Sequence, residues 1–327
     1  MNTKKMTAVI SILLVLMLVF AAGAPVPAEA EINWPTRPVS MIVGFAAGGG
    51  TDIGARVLAE HLGRALGQRV VVTNIPGAGG EPALVQMLSS APNGYTIGAI
   101  VPAQFLNPFL RDAQYNLEDF AWIAQQVNDT RVIVARPNDP RFHDMETFLA
   151  YARANPGLTV ADTGVGTSAH LATAGLSLRG NLNLTPIHTD GFGQGMVLFL
   201  GAHVDLISAS LGEANTMLMD GNAIIIGFTS EERHPDFPDI PTFIEEGIDF
   251  TINTRRGWVA HRNVDPRIIR ILSDAMAQVA ADPDYLRDMN NSGIPPDFLS
   301  GDEFERVVFE ELDVLIELID VLGLRQD

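Results

Sequence analysis

The sequence predicts an α/β fold with a parallel or mixed sheet, arranged as two lobes. Short apolar runs of strand character alternate along the chain with segments of helical period. Glycine-rich turns stand where a run gives way to a helix. The length of 327 residues exceeds the ~100–150 of a typical single domain.

Val39-Ser40-Met41-Ile42-Val43 reads as the first strand, and in the segment 52–62 that follows, Ile53, Val57, Leu58 and Leu62 share one helical face. Val70-Val71-Val72 is the next strand. A second glycine turn over 76–80 opens a helix over 83–89, and 95–101 is the third strand. Trp122-Ile123-Ala124 and Arg131-Val132-Ile133-Val134-Ala135 continue the sheet as two further strands. After Pro137 and Pro140 a second unit begins, with helix 145–155, strand 158–160, helix 170–178 and strands 204–208 and 223–228. The chain returns through 250–253 toward Trp258-Val259-Ala260, and the tail holds helices over 266–281 and 302–322. The expected plan is a signal segment over 1–30, lobe 1 over 31–137, lobe 2 over 138–253, and a return to lobe 1 over 254–327.

Lys4 and Lys5, the apolar run 8–22 and Ala28-Glu29-Ala30 have the three-part form of a secretory signal peptide, with cleavage expected before Glu31. An uncleaved anchor is the alternative, but the run is shorter than the ~20 residues of a membrane span. The expected product is periplasmic. The whole chain has a net charge of −18, and loss of Lys4, Lys5 and Glu29 makes it −19. That charge argues against nucleic acid as a partner. A hydrophobic content of 47% excludes disorder. The absence of cysteine excludes disulfide scaffolds, thiolate metal sites and thiol catalysis.

Three junctions invite a functional reading: Gly48-Gly49-Gly50-Thr51-Asp52, Gly77-Ala78-Gly79-Gly80 and Gly164-Val165-Gly166-Thr167-Ser168. Glycine lets backbone approach a guest, and the first N–H groups of a helix carry partial positive charge, so each junction is a candidate anion cradle. Each alone also reads as an ordinary tight turn; the weight lies in the set. A dinucleotide fingerprint lacks its acidic residue about 20 positions on, and no Gly-Lys-Ser/Thr occurs, so no cofactor is expected. Thr167, Ser168 and His170 lack the spacing of a nucleophile elbow; a hydroxyl that caps a helix while facing a guest accounts for them better. The remaining histidines show no metal spacing. Arg255-Arg256 reads either as a carboxylate clamp at a lobe crossing or as a solvated pair. Asp190 either meets an ammonium group or caps the next helix, and capping is the reading adopted. Asp52, in a first helical turn, is expected to shape its own loop.

These junctions, with Trp34-Pro35-Thr36-Arg37-Pro38, Ala91-Pro92-Asn93-Gly94-Tyr95-Thr96, Gly201-x-x-Val204-Asp205-Leu206 and Phe237-Pro238-Asp239-Ile240-Pro241-Thr242, occur in an order that resembles one family. That family is the extracytoplasmic solute receptors of the tripartite tricarboxylate transporters, also called Bug proteins, and the resemblance spans nearly the whole mature chain. It implies a type II periplasmic-binding-protein fold, two α/β lobes joined by crossing strands that close as a Venus flytrap. It further implies a small organic carboxylate as ligand, delivery to a large and a small membrane subunit, and a monomer without catalytic activity. The implied ligand-binding positions are Gly49, Gly50, Thr51, Asp52, Gly79, Gly80, Gly166, Thr167, Ser168 and His170, to which the residue reading adds Asp190 and Arg255. The chain departs from the family pattern at Gly44-Phe45-Ala46-Ala47, at Thr189-Asp190-Gly191-Phe192 and at Arg255-Arg256. Two rival readings use the same pocket: a ligand sensor for a membrane kinase, and an exported enzyme working through Ser168 or Thr167 with His170.

Overall fold

The computed structural model describes residues 32–325, and the expected signal segment lies outside them. The elements run β1 (Val39–Val43), α1 (Gly50–Leu66), β2 (Val70–Asn74), α2 (Glu81–Leu88), β3 (Thr96–Ile100), α3 (Pro102–Leu110) and β4 (Phe120–Ala135). They continue through α4 (Met145–Ala154), β5 (Thr159–Asp162), α5 (Ser168–Gly180), β6 (Thr185–His188), α6 (Phe192–Leu200), β7 (Leu206–Ser210), α7 (Leu211–Met219) and β8 (Ile224–Phe228). The last part comprises β9 (Asn253–His261), α8 (Pro266–Ala280), α9 (Pro283–Asn291), β10 (Pro296–Ser300) and α10 (Gly301–Val321).

β4 is 16 residues long and belongs to both lobes. Its first part, to Thr130, pairs antiparallel with β9, and β10 adds on its other side. From Arg131 onward its partners are β7 and β8, both antiparallel. The parallel set β2-β1-β3 extends the first sheet through β9, and the parallel set β7-β5-β6 extends the second. The two strands expected at 122–124 and 131–135 are therefore one. A second crossing lies just before β9, where Thr229 N–H donates to Arg131 O and Ile252 N–H to Thr229 O, both at 3.0 Å. These are two α/β lobes joined by crossing segments.

Each lobe buries its sheet under helices. In lobe 2, Val132 and Val134 enter one apolar layer with Phe199, Ile207 and Phe228, while Ile133 and Ala135 enter the opposite layer with Phe142, Phe148 and Phe243. That is the two-residue alternation of a strand covered on both faces. In lobe 1, Ile42, Leu84, Phe105, Trp122 and Phe304 form the core, which Leu171 and Ala172 of α5 join from lobe 2. Local signals set the helix starts. Asp144 accepts the Thr147 N–H at 2.9 Å, Asp265 precedes Pro266, and Ser300 with Glu303 forms a capping box for α10.

Gly257 of β9 shows how tightly the crossing is packed. A Cβ there would lie 2.1 Å from Phe304 Cε1 and 2.8 Å from the Ala124 carbonyl oxygen. Gly257→Ala is expected to destabilise the fold by about 1–3 kcal/mol through overpacking, read as a lower Tm in thermal denaturation. An unchanged Tm contradicts this packing.

Candidate functional site

The first glycine junction connects β1 to α1, and Asp52 organises it. This buried carboxylate accepts the Gly48 N–H at 2.9 Å, Arg56 Nε at 3.1 Å and Asn74 Nδ2 at 2.9 Å. Asn74 Nδ2 also donates to Phe45 O at 2.9 Å, so the loop is fastened at both ends. Burial pushes the Asp52 carboxyl up, but hydrogen bonds from Arg56, Gly48 and Asn74 prevail and hold it below its ordinary range. The ladder of α1 begins with Ile53 N–H donating to Gly49 O, and no side chain caps the helix at Gly49. The N–H groups of Gly50, Thr51 and Asp52 therefore precede the ladder. Gly49, Gly50 and Thr51 line a cavity of about 50 Å³ between the lobes.

The lining of this inner chamber also includes Arg131 of β4, Thr254 and Arg256 of β9 and Glu213 of α7, beside Thr167 and Ser168. Arg256 is buried and binds Asp129 Oδ2 through Nη1 at 3.1 Å, Ser210 Oγ through Nη2 at 3.3 Å and Thr51 Oγ1 through Nε at 3.3 Å. Gly50 permits this approach, because a Cβ there would sit 2.8 Å from Arg256 Nη2. Arg131 is also buried; it donates through Nη2 to Ser208 O at 2.6 Å and through Nη1 to Thr254 Oγ1 at 3.3 Å. Glu213 stands 3.7 Å from Arg131 Nη1 and 4.0 Å from Arg256 Nη2. Desolvation lowers the Arg131 pKa to about 10, which leaves it charged at neutral pH. Desolvation raises that of Asp129 against the pull of Arg256.

An outer chamber of about 270 Å³ adjoins the inner one through Phe45 and Thr163, which line both. Its walls include Gly79, Gly80, Arg111, Gly164, His188 and Asp190. Beneath it, buried Asp162 Oδ1 accepts His188 Nδ1 at 2.7 Å and the Gly164 N–H at 2.9 Å. The hydrogen bond to Asp162 raises the His188 pKa, while burial lowers that of His170, whose ring lies edge-on at 4.8 Å.

The first and third junctions thus meet in the inner chamber, and the second faces the outer one. Four expectations need correction. In lobe 2 part of the cradle is engaged by the protein itself: Gly166 N–H donates to His170 Nδ1, Thr167 N–H to Gly164 O, and His170 N–H to Thr167 Oγ1, while the Ser168 N–H precedes the ladder of α5, which begins with Leu171 N–H donating to Thr167 O. Thr167 caps α5, as its residue type predicts, and His170 is buried behind the loop rather than facing the cavity. Asp190 does not cap α6; Gly191 is the N-cap, and Asp190 N–H donates to Gln194 Oε1. Arg255 does not reach this cleft. Strand alternation sends it to the other face of β9, where it binds Glu311 Oε1 at 2.6 Å and Gln125 Oε1 at 3.0 Å, while its neighbour Arg256 points in. Ser168 Oγ is bonded to Thr254 Oγ1 at 2.7 Å, not to the His170 ring.

Sequence reasoning missed Asp129, Arg131, Glu213 and Thr254. The available signal was Asn128-Asp129-Thr130-Arg131, a polar insert between two apolar runs, but its side-chain partners named above lie 77 or more positions away.

Comparison with known proteins follows the same architecture. Residues 54–324 match the family described as "Tripartite tricarboxylate transporter family receptor". A protein of Cupriavidus necator, "UPF0065 protein in gbd 5'region", is 30% identical over 304 residues, 92% of each chain. Protein BugT of Bordetella pertussis (strain Tohama I) is 29% identical over 318 residues, 95% of each chain. The structure of the periplasmic binding protein BugD superposes with a TM-score of 0.83 at 28% identity, covering 90% of this chain and 100% of that one.

Asp52→Ala removes the acceptor that fastens the first loop. It is expected to cost about 1–3 kcal/mol at pH 7 and to speed amide exchange at Gly48. Because the folded-state pKa is depressed, the stabilisation is present above the ordinary aspartate pKa of about 3.9 and is lost as pH falls through the folded value. The Tm gap between wild type and variant should therefore close on acidification. A gap that persists in strong acid, or no gap at pH 7, contradicts this role.

Proposed function

The chain belongs to the tripartite tricarboxylate transporter receptor family, and from that premise we propose that it captures a small organic carboxylate in the periplasm and delivers it to the large and small membrane subunits of such a transporter. The protein is a type II periplasmic binding protein in fold. One observation carries the ligand reading: the uncapped N-terminus of α1 and two buried guanidinium groups, those of Arg131 and Arg256, line one small cavity between the lobes.

The physical chemistry of that arrangement favours an anion. An amide hydrogen bond to a charged group contributes about 1.5–3 kcal/mol, and a helix N-terminus adds about 0.3–1 kcal/mol, more when partly buried. In this reading Gly49, Gly50 and Thr51 supply backbone donors, Ser168 and Thr254 supply hydroxyls, and Arg131 and Arg256 supply positive charge. Gly79 and Gly80 belong to the outer chamber, where the rest of the guest extends. Asp52, Thr167 and His170 hold the two loops in shape and do not touch the guest.

The switch of strand partners at Thr130–Arg131 supports lobe 1 and lobe 2 as the two jaws, with β4 and the segment before β9 as the hinge. Guest binding then selects the closed arrangement, in which water is excluded and each contact strengthens. The reading includes export with cleavage before Glu31 and a monomeric receptor. No helix among the described residues is long and apolar enough to cross a membrane.

A thermal-shift panel of mono-, di- and tricarboxylates, aromatic acids and acidic amino acids tests the proposal. A true guest at 100 times its Kd adds about 2.7 kcal/mol of stability, and its uncharged amide should add none. A panel in which no acid raises the Tm, or in which amides do equally well, contradicts the assignment.

A further inference from the structure

His188, the last residue of β6, lines the outer chamber with 38% of its side chain exposed. In the parallel pairing of β5 with β6 it stands in register with Asp162, whose side chain is fully buried. A carboxylate can only accept, so the 2.7 Å contact between them means that His188 Nδ1 carries a proton and donates it. The next residue is tied to the same strand end, since Thr189 gives its N–H and its hydroxyl to Asp162 O at 3.0 and 2.7 Å. The imidazole is thus held in place on the chamber wall. Among the described residues, none forms a hydrogen bond with its other nitrogen, Nε2.

The two histidines that meet here differ in what a second proton would break. His170 Nδ1 accepts the Gly166 N–H at 3.2 Å, so a proton there removes a hydrogen bond that shapes the third glycine junction. Burial also disfavours its charged form. His188 takes its second proton at Nε2 and keeps the hydrogen bond to Asp162 in both forms. That hydrogen bond raises its pKa above the ordinary histidine value of about 6.5, against the opposing effect of burial. The charge on the wall therefore changes near neutral pH while the fold around it stays the same.

The other charged groups nearby leave the balance to that proton. Arg111, just after α3, and Asp190, in the loop before α6, line the same chamber, and their formal charges cancel. The charge of Asp162 also favours the cationic form of Arg131 on β4. Thr163, the residue after Asp162, lines both chambers, so this wall continues into the inner one.

We propose that His188 makes capture pH-dependent: with its imidazole protonated the outer chamber presents an added positive charge, and an anionic guest is held more tightly than when the imidazole is neutral. Binding of the anion then draws a proton onto His188, by reciprocity. The added affinity is present below the ordinary histidine value and is lost as pH rises through the raised folded one. This inference rests on the carboxylate-receptor reading and adds a control to it.

The test is titration calorimetry with benzoate, succinate and L-glutamate at a series of pH values from about 6 to 9, a range that spans the titration of His188. Any of the three that binds wild type is expected to lose about threefold or more of its affinity across the range, the effect of one unit charge several ångströms away in a partly solvated cleft. His188→Asn retains an amide donor for Asp162 but cannot titrate, and it should bind at the weaker level with little change over the same range. In wild type, the ring C–H resonance of His188 should titrate at higher pH with the acid bound than without it. A wild-type affinity that does not fall with pH, or a His188 titration that the acid does not move, overturns the inference without any variant. A dependence that persists in folded His188→Asn overturns it as well. In each of these cases an acid still binds, so the receptor reading stands and only the role of His188 is lost. If none of the three acids binds at any pH in the range, the inference is overturned, while the receptor reading is decided by the wider panel.

Discussion

Two guanidinium groups, Arg131 and Arg256, are taken out of water where the lobes meet, and the site is arranged around meeting their charge. Arg256 alone touches Thr51 of the first loop, Asp129 of β4 and Ser210 at the start of α7. Desolvating ions in this way is expensive, and a buried pair is weak evidence for stability in itself. Losing one member is another matter, at about 3–5 kcal/mol for a charge left without its partner. The cluster therefore acts as a register between segments distant in sequence. The first loop, the crossing strands and the α7 capping box must all be in place for it to close.

The same cluster resolves an apparent conflict between an acidic chain and an anionic guest. The net charge of −18 is spread over the whole chain, and exposed charges are screened beyond about 8 Å at physiological salt. Inside the cleft the nearest groups decide. Those are the first-turn amides of α1, the hydroxyls of Ser168 and Thr254, and the guanidiniums of Arg131 and Arg256. The two lobes contribute unequally. Lobe 1 offers the first-turn donors of α1, while the lobe 2 junction uses the N–H groups of Gly166, Thr167 and His170 to hold its own shape.

That asymmetry marks the limit of what could be read from the sequence. Elements with a strong local signature were legible: the apolar run of β1 before a glycine turn, the 3.6-residue period of α1, the helices α4 and α10. Elements whose local signal opposes their state were not. β4 was read as two strands because Gln125-Gln126 and Asn128-Asp129-Thr130 interrupt its apolar run, and these side chains meet partners that only the tertiary fold supplies, Gln126 at Gly54 and Trp258 and Asp129 at Arg256. α3 carries Pro102 and Pro108, and β6 carries Pro186, residues that weigh against helix and strand in isolation. In the site, the glycine junctions were found because glycine at a strand-to-helix turn is a local signal. The pairing of Arg131 with Glu213, or of Asp129 with Arg256, is set by sheet topology and leaves no trace in spacing. Choosing between Arg255 and Arg256 required the register of β9, which only its partners determine.

Recognition turns on where the charged end of the guest lies. A crystal structure of the receptor with its tightest-binding acid measures this directly. The predicted result places carboxylate oxygens about 3 Å from the N–H groups of Gly50 and Thr51, with the guanidinium of Arg131 or Arg256 on the opposite side. A carboxylate seated away from the start of α1, with those N–H groups bonded to protein atoms, contradicts the account.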